Sequence, residues 1–472
     1  MLTKSDFLLY LDAPLHLWAE HNNQTEKSPS SYELQIFEQG KEIEKLGKEY
    51  LSNLLKNTVP DSEIEMEKTF IDGGYQARVD VALYDPKEHI YDIYEIKSST
   101  SVKKEHQYDI AFQRLVMKAS AAIRKAFVVH VNKEYVREGN LDLDNFFMIE
   151  DVTEAVEKLE SEVSTGREQA RLVLTSSSPT GIIGCVKPET CPCPRLCHPH
   201  LPSHSIFDIP RLNEQKAREL KARGILSITD IPEDYPLSDR QRAHINLQKS
   251  GRPFVDFTSI KKELSKLQYP LHFLDYETYS PGIPFYNGYK PYQHIVFQYS
   301  LHMVADRNGE AEHFEYLATE NKDPGVDLLT HLKKHFQNEG SVVVWNKTFE
   351  IGRNSEMAER YPKFRPWLND MNSRIYDLMD VFEKGYYIHP DFRGSVSIKS
   401  VFPVLVPENS STYTDLPISK GDQAMIAWLK IVDGELSREE VEETRQNLLR
   451  YCQLDTEAML KIWKALKSMI EN

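Results

Sequence analysis

The stretch "LHFLDYETYS" at residues 271–280 sets two carboxylates, Asp275 and Glu277, in an otherwise apolar and aromatic run. Such a run is typical of a buried strand. Side chains two residues apart on a strand point to the same face, so the two carboxylates converge. Like charges at that separation are costly unless a cation lies between them. The stretch therefore predicts a strand that carries part of a divalent metal site.

Two later segments can complete this site. "VVVWNKTFE" (342–350) places Glu350 four residues after Asn346, just past an apolar strand. "LLRYCQLDTEAMLKIW" (448–463) places Tyr451 and Asp455 at i and i+4, on one face of a helix. Carboxylate oxygens are the ligands that Mg²⁺ and Mn²⁺ prefer. The predicted metal ligands are Asp275, Glu277, Glu350 and Asp455.

In order and spacing, these residues resemble the tyrosine subgroup of the DnaQ-like (DEDD) exonucleases. That family carries Asp-x-Glu on its first strand, Asn-x-x-x-Asp after a later one and Tyr-x-x-x-Asp on its last helix. The resemblance implies a ribonuclease-H-like α/β domain, two Mg²⁺ or Mn²⁺ ions, a catalytic Tyr451 that orients the attacking water, and 3′-to-5′ exonuclease activity. Glu350 stands where the family usually has Asp. The alternative to a metal site is that Asp275 and Glu277 form a carboxylate pair at a strand edge and that Asp455 lies on a helix surface.

The N-terminal part contains a second group of charged residues on predicted strands. In "QARVDVALYDPKEHIYDIYEIKSS" (76–99), Asp80 lies in mid-strand, and Glu95 and Lys97 share one face of the next strand. Carboxylates can hold a metal ion while an ammonium stabilises the charged phosphate, which is the minimal set for phosphodiester cleavage. Strands also alternate Glu and Lys for solubility alone, so that alternative stays open.

This pattern resembles the PD-(D/E)XK nucleases, in the RecB-like branch that includes the CRISPR-associated adaptation nuclease. "EIKSS" matches the Glu-x-Lys strand, and "YDIAFQRLVM" matches the following helix, with Gln113 at the branch's Gln position. The resemblance implies a restriction-endonuclease-like domain in which Asp80 and Glu95 bind metal and Lys97 and Gln113 are catalytic. The branch's Tyr four residues further on is Met117 here, and its His ligand corresponds to Glu44, which would be a metal ligand.

Four cysteines crowd into one Pro-rich segment, which predicts a metal site built from a loop. Their spacing is not the paired Cys-x-x-Cys of zinc ribbons, and iron–sulfur ligation tolerates such irregularity. RecB-like nucleases of this branch often hold a cluster with one Cys from an N-terminal helix, where this chain has Ala13. Zinc with His198 or His200 as a ligand, and free thiols, are the alternatives. The predicted ligands are Cys185, Cys191, Cys193 and Cys197.

A short segment at 205–251 is predicted to form a helix, a Gly-Ile turn, a short helix and then a basic helix, and it resembles the helix-hairpin-helix inserts found beside RecB-like nucleases. It is the densest positive stretch of a chain whose net charge is −15, so it predicts a local phosphate-binding track; a solvated helical spacer is the alternative. The predicted nucleic-acid contacts are Lys221, Arg223, Arg240 and Arg242.

Together these patterns predict an α/β multidomain chain with four segments. They are a RecB-like nuclease domain (1–175), a Cys-rich loop (176–204), a helical module (205–251) and a DnaQ-like domain (252–472). The sequence contains neither a Gly-x-Ser-x-Gly elbow nor a Walker loop, which excludes the common serine hydrolases and P-loop ATPases. The start carries no secretory pattern and no long apolar run, so we expect a cytoplasmic protein without a membrane partner.

The expected function is metal-dependent hydrolysis of DNA, single-stranded or end-containing, with a helicase or another repair or defence protein as a possible partner. DNA is favoured because the RecB-like branch mostly processes DNA. The rivals are a nucleic-acid-binding or partner-recruiting subunit with inert sites, and an RNA-processing exonuclease, since DnaQ-like chemistry acts on either sugar. Repair, CRISPR spacer processing and phage defence all fit the pattern.

Overall fold

The computed structural model describes residues 1–307, 309–409 and 416–471, and the chain divides into two compact units. The first comprises Met1–His200 with Pro281–Tyr292, and the second comprises Leu201–Ser280 with Gln293–Asn472. The Cys-rich loop belongs to the first unit as far as His200, and its last four residues and the helical module belong to the second. Residues Pro281–Tyr292 belong to the first unit, although the residues on both sides of them in the sequence belong to the second. The sequence did not predict this assignment.

The first unit is an α/β layer structure built on a mixed six-stranded sheet. Its strands are β1 (Leu2–Thr3), β2 (Glu63–Asp72), β3 (Tyr75–Asp85), β4 (Ile90–Lys97), β5 (Ala122–Val131) and β6 (Phe147–Asp151). Its helices are α1 (Lys4–Asp12), α2 (Pro14–His21), α3 (Ser31–Thr58), α4 (Lys104–Met117), α5 (Leu143–Phe146), α6 (Thr153–Thr175) and α7 (Pro194–Cys197).

The sheet order is β1-β3-β4-β5-β6, with β2 also paired to β3. β3 and β4 run antiparallel, while β4 and β5 run parallel and are joined across the sheet by α4. One apolar cluster packs α1, α4 and α6 against the sheet, and another packs α3. Two helices, α1 and α2, follow each other near the N-terminus, because Pro14 cannot continue α1 and instead occupies the first turn of α2.

The second unit is also α/β, with a mixed five-stranded sheet and a separate two-stranded one. Its strands are β7 (Phe254–Val255), β8 (Leu271–Tyr279), β9 (Ile295–Val304), β10 (Ala311–Leu317), β11 (Ser341–Val344), β12 (Ile375–Asp377) and β13 (Tyr387–Ile388). Its helices are α8 (Glu214–Ala222), α9 (Asp239–Ser250), α10 (Phe257–Leu264), α11 (Gly325–His335), α12 (Lys347–Arg360), α13 (Arg365–Ser373), α14 (Asp380–Glu383), α15 (Ile398–Leu405), α16 (Gly421–Val432) and α17 (Arg438–Glu471).

The five-stranded sheet has the order β10-β9-β8-β11-β12, which places β8 at its centre. β8 pairs antiparallel with β9 and parallel with β11. Leu271 and Phe273 of β8 lie in the cluster that includes α15 and α17, whereas Leu274 and Tyr276 lie in the cluster with α11, α12 and α13. Asp275 continues the row of Leu271 and Phe273, so its alternation directs it to the α17 face.

The helical module has a small apolar core of its own around Ile206, Leu220, Ile228 and Ile245. The element between α8 and α9, which the sequence predicts as a short helix, is a 3₁₀ turn at Ile228–Asp230. None of the helices in the described part of the chain combines the length and the apolar character needed to cross a membrane.

Candidate metal sites

The second unit brings its predicted ligands together from three elements. Asp275 and Glu277 lie on the central strand β8, Glu350 lies in the first turn of α12, and Asp455 lies in the middle of α17, one turn after Tyr451. Glu277, Glu350 and Asp455 are each less than a tenth exposed.

A local feature at the start of α12 fixes the position of Glu350. Asn346 has φ 94°, a left-handed conformation that turns the chain sharply from β11 into the helix. Asp377 on β12 accepts the backbone N–H groups of Asn346 at 3.1 Å and Lys347 at 2.8 Å, so two unpaired donors of the helix start are satisfied. Asp377 is therefore a structural carboxylate that holds Glu350 in place.

The carboxylates of this site act on one another through their charges. Burial raises the pKa of Asp275 and of Glu277 well above the ordinary values, and the charge of Asp455 adds to both. Burial, followed by the charge of Asp275, raises the pKa of Glu350 to about 9. Neutralising buried like charges takes either protons or a cation. The site therefore has the electrostatics of a cation-binding pocket.

The donor set also fits a metal ion. Ligand atoms of Asp275, Glu277 and Cys452 lie within 4.8 Å of one another. Glu350 Oε2 is buried and has no hydrogen-bond partner among the described residues. Oxygen-rich donor sets favour Mg²⁺ or Mn²⁺, and the Cys452 thiol, 3.8 Å from Asp275 Oδ2, is a buried neighbour.

Lys399 of α15 belongs to this site and was not predicted from the sequence. Its Nζ lies 3.2 Å from the Tyr451 hydroxyl oxygen. No motif surrounds it, and it is distant in sequence from every other member, so no local signal points to it.

The first unit gathers four of its five predicted site residues around Glu95. Lys97 Nζ donates to Glu95 Oε1 at 2.8 Å, and Gln113 Nε2 donates to Glu95 Oε2 at 2.8 Å. Asp80 lies on β3 beside them and accepts the backbone N–H of Ile96 at 2.9 Å. Adjacent strands and the following helix thus deliver two carboxylates, an ammonium and an amide to one place.

Two residues that sequence analysis missed complete this cluster. Asp109 accepts from Lys97 at 2.6 Å and from Gln113 at 2.9 Å, and Lys4 donates to Glu95 at 2.6 Å. Asp109 precedes Gln113 by one helical turn, and that spacing was a usable signal. Lys4 carried none, because its approach depends on the tertiary packing of α1.

The charges in this cluster shift the carboxylate pKa values in opposite directions: those of Asp80 and Asp109 are raised, and that of Glu95 is lowered. Burial and the charge of Glu95 raise the pKa of Asp80 to about 7, and the same two causes raise that of Asp109. Burial opposes ionisation of Glu95, but Lys97 and Lys4 outweigh it and hold its pKa below the usual range. One carboxylate with a lowered pKa beside two with raised pKa values is an arrangement that a divalent cation would change, because a bound cation favours the ionised form of all three.

Glu44, the fifth predicted residue, lies outside these contacts. Its carboxylate accepts from Lys48, one turn further along α3, at 2.5 Å, and Lys48 also pairs with Glu67. Its side chain is about a third exposed. The structure therefore gives Glu44 a helix-surface ion pair.

The four cysteines of the loop are all buried and come together with two histidines. Ligand atoms of His16, Cys191, Cys193 and Cys197 lie within 4.8 Å of one another, as do those of Cys185, Cys191 and His198. The cluster therefore contains more sulfur and nitrogen donors than one tetrahedral ion needs, and it can bind metal.

His16 on α2 is the addition that the sequence did not predict. It follows Ala13, the position expected for an N-terminal Cys, by three residues, and its Nε2 lies 3.5 Å from Cys191 Sγ. Its Nδ1 lies 2.7 Å from Asp12 Oδ2, the carboxylate–imidazole pairing that commonly supports metal-bound histidines. Burial disfavours the imidazolium, but the thiols of Cys185 and Cys197 outweigh it and raise the pKa of His16 to about 10. His200, by contrast, is exposed.

Two of the four side chains predicted to bind phosphate in the helical module, those of Arg223 and Arg242, pair with groups of the protein itself. Arg242 donates to the carbonyl oxygens of Pro232 and Tyr235, and Arg223 pairs with Glu219 on the same helix. Arg240 lines a cavity of about 1070 Å³ within the second unit.

Residues 272–397 match the family model described as "Domain of unknown function (DUF2779)". The matched range contains Asp275, Glu277 and Glu350 and ends before Lys399 and the α17 residues. The matched range lies in the second unit except for Pro281–Tyr292, which belong to the first.

The chain is similar to curated proteins of Mycoplasma and Ureaplasma species. The chain is 29% identical over 240 residues to "Uncharacterized protein MG366" of Mycoplasma genitalium, covering 47% of this chain and 36% of that one. It is 29% identical over 230 residues to the homologue in Mycoplasma pneumoniae (45% and 34%), and 28% identical over 153 residues to "Uncharacterized protein UU173" of Ureaplasma parvum (29% and 22%). The chain thus spans about a third of the length of the two Mycoplasma relatives. No solved structure matches the chain.

Proposed function

We propose that this protein is a metal-dependent nuclease that hydrolyses DNA phosphodiesters at two sites, one in each unit. The observation that carries the proposal is the group of carboxylates around Asp275. Ligand atoms of Asp275 and Glu277 on β8 lie within 4.8 Å of each other, and both carboxylates interact through their charges with Asp455 of α17. Asp275 interacts in the same way with Glu350 of α12. Buried carboxylates with mutually raised pKa values are unfavourable in a purely structural role, because packing alone would be served better by neutral residues.

The arrangement of the second unit supports the ribonuclease-H-like fold that the DnaQ-like resemblance implies. Asp-x-Glu lies on the first strand of the five-stranded sheet, Asn346 and Glu350 follow a later strand, and Tyr451 and Asp455 lie on the last helix. A divalent ion supplies Lewis-acid polarisation of the phosphate and a more acidic water. The four carboxylates would hold it, and the Tyr451 hydroxyl would orient the attacking water.

The first unit supports a RecB-like nuclease site by the same reasoning. Its Glu-x-Lys strand is followed by α4 with Gln113, and Asp80 comes from the neighbouring strand. Asp80, Glu95 and Asp109 would hold the metal ion. Lys97 would place positive charge beside the phosphate that accumulates negative charge during attack.

The Cys and His cluster is proposed to hold an iron–sulfur cluster, with zinc as the alternative. His16 joins α2 to the Cys-rich loop in either case. Such a centre would act structurally, since metal binding to residues distant in sequence stabilises the folded state.

The first experiment incubates anaerobically purified protein with single-stranded DNA labelled at the 3′ or the 5′ end, with Mn²⁺ or with EDTA. We expect metal-dependent shortening in which the 3′ label is lost first. Unlabelled RNA of the same sequence, added as a competitor, separates a DNA enzyme from an RNA enzyme. Intact DNA in the presence of bound metal would contradict the proposal and favour a binding subunit.

A further inference from the structure

Lys399 stands at the rim of the second unit's carboxylate site. The residue is exposed, but its ammonium reaches inward to Tyr451, which is only 4% exposed. Nζ donates to the Tyr451 hydroxyl oxygen at 3.2 Å and to the carbonyl oxygen of Ser419 at 2.7 Å. It also lies 5.1 Å from the centre of the Tyr451 ring. The ammonium is therefore held between a backbone carbonyl and the tyrosine.

The charge of Lys399 acts on the carboxylates of β8. Burial and Asp455 raise the pKa of Asp275 and of Glu277, while Lys399 lowers the pKa of both. A cation at this place offsets part of the repulsion without filling the position of a ligand.

The direction of the hydrogen bond limits what Tyr451 can do. An ammonium has three donors and no acceptor, so the tyrosine oxygen must accept from Lys399. The hydroxyl proton of Tyr451 is then donated to some other group. A phenol fixed in this way is an oriented donor rather than a freely rotating one.

We propose that Lys399 is a positioning residue of the second unit's site, which holds the Tyr451 hydroxyl as an oriented donor to the attacking water. This inference rests on the proposed exonuclease function. It deepens that function by adding a cation that the carboxylate and tyrosine motifs do not contain.

The test uses the full chain with the first site silenced by Lys97→Ala, so that the measured hydrolysis belongs to the second unit. Lys399→Met is expected to lower kcat for 3′-labelled single-stranded DNA by about 10- to 100-fold, the usual cost of lost orientation. Mn²⁺ binding, measured by calorimetry, should be kept or tightened because a repelling charge is removed. Lys399→Arg should recover part of kcat, and Lys430→Met, on the exposed surface of α16, should match the parent.

A double-mutant cycle with Tyr451→Phe separates positioning from a structural role. If Lys399 acts through the tyrosine hydroxyl, Lys399→Met should cost little once that hydroxyl is gone, so the two losses are far from additive. Additive losses, or a wild-type kcat in Lys399→Met, would overturn the inference while leaving the nuclease function standing. Hydrolysis and Mn²⁺ binding that Asp275→Asn leaves unchanged would overturn the proposed function itself, and this inference with it.

Discussion

At the scale of single residues, Glu350 is a buried carboxylate of the second unit's site whose ionised form is disfavoured by its surroundings. It is 2% exposed, one of its oxygens has no partner among the described residues, and its pKa is raised to about 9 by burial and Asp275. Since Asp377 fixes the start of α12, the carboxylate cannot move outward to water without disturbing that helix start. The residue must therefore hold a proton or meet a cation.

The raised pKa of Glu350 leads to a pH-dependent prediction. The folded state holds the proton more tightly than the unfolded state, so stability is lost as the pH rises from the ordinary 4.5 toward about 9. In EDTA, Glu350→Gln should therefore unfold at a higher temperature than the wild type, by a margin that grows across this window and disappears below it. Thermal unfolding monitored by fluorescence measures the difference.

Saturating Mn²⁺ provides the control for Glu350→Gln. The metal binds the folded state and should stabilise the wild type more than the variant, which reverses the sign of the difference. A margin that stays constant with pH would show that folding leaves the pKa of Glu350 unchanged, which would contradict the prediction.

At the scale of elements, His16 brings α2 into contact with the Cys-rich loop, with its Nε2 3.5 Å from Cys191 Sγ. We expect His16→Ala to release metal from the cluster, and Asp12→Asn to weaken metal affinity by about 10- to 100-fold because the imidazole loses its supporting carboxylate. The measurement is iron, sulfide and zinc content after dialysis against chelators of graded strength.

His200→Ala is the matched control for that measurement, because His200 lies on the same loop but is exposed. It should retain the wild-type metal content. If His16→Ala also retained it, the cysteines alone would hold the metal and α2 would owe its position to packing.

A substitution at Gly394 can test how closely the helical module packs against the rest of the second unit, because Gly394 lies beside Asp208 of that module. Its φ is 74°, and a Cβ there would lie 2.0 Å from the carbonyl oxygen of Asp208. Gly434 has a similar φ of 70° but open space around it. Gly434→Ala should cost about 1–2 kcal/mol of backbone strain alone, and Gly394→Ala distinctly more, as measured by urea unfolding. Equal costs would contradict the close approach.

The elements also show what the sequence could predict. Alternation on β8 and the i, i+4 spacing on α17 were sufficient to place Asp275 on a strand and Asp455 on a helix one turn after Tyr451, because each pattern is local. The sequence did not predict Lys4, His16 or Lys399, because each reaches its site through the tertiary packing of a different helix. Glu44 was selected by its position in a motif, but a lysine one turn away satisfies it on the helix surface.

At the scale of the whole molecule, an acidic chain with net charge −15 would repel DNA unless cations were concentrated at its sites. Lys4 and Lys97 stand in the first unit's site and Lys399 in the second's, each within contact of the carboxylates or the tyrosine. Bound divalent ions would add further positive charge at the same two places. Substrate attraction is therefore expected to be local and metal-dependent rather than spread over the surface.

Two separate carboxylate sites predict two activities that single substitutions can separate. Asp275→Ala removes a predicted metal ligand of the second unit and should lower the rate of 3′-to-5′ shortening by at least about 100-fold. Lys97→Ala removes the ammonium beside Glu95 and should lower the rate of cleavage by the first unit by a similar factor. The assay compares product ladders from 3′- and 5′-labelled DNA for both variants and for the double variant, which should be inert in Mn²⁺. If both single variants kept the wild-type rate, neither cluster would be catalytic, and the two buried charge clusters would have to serve binding instead.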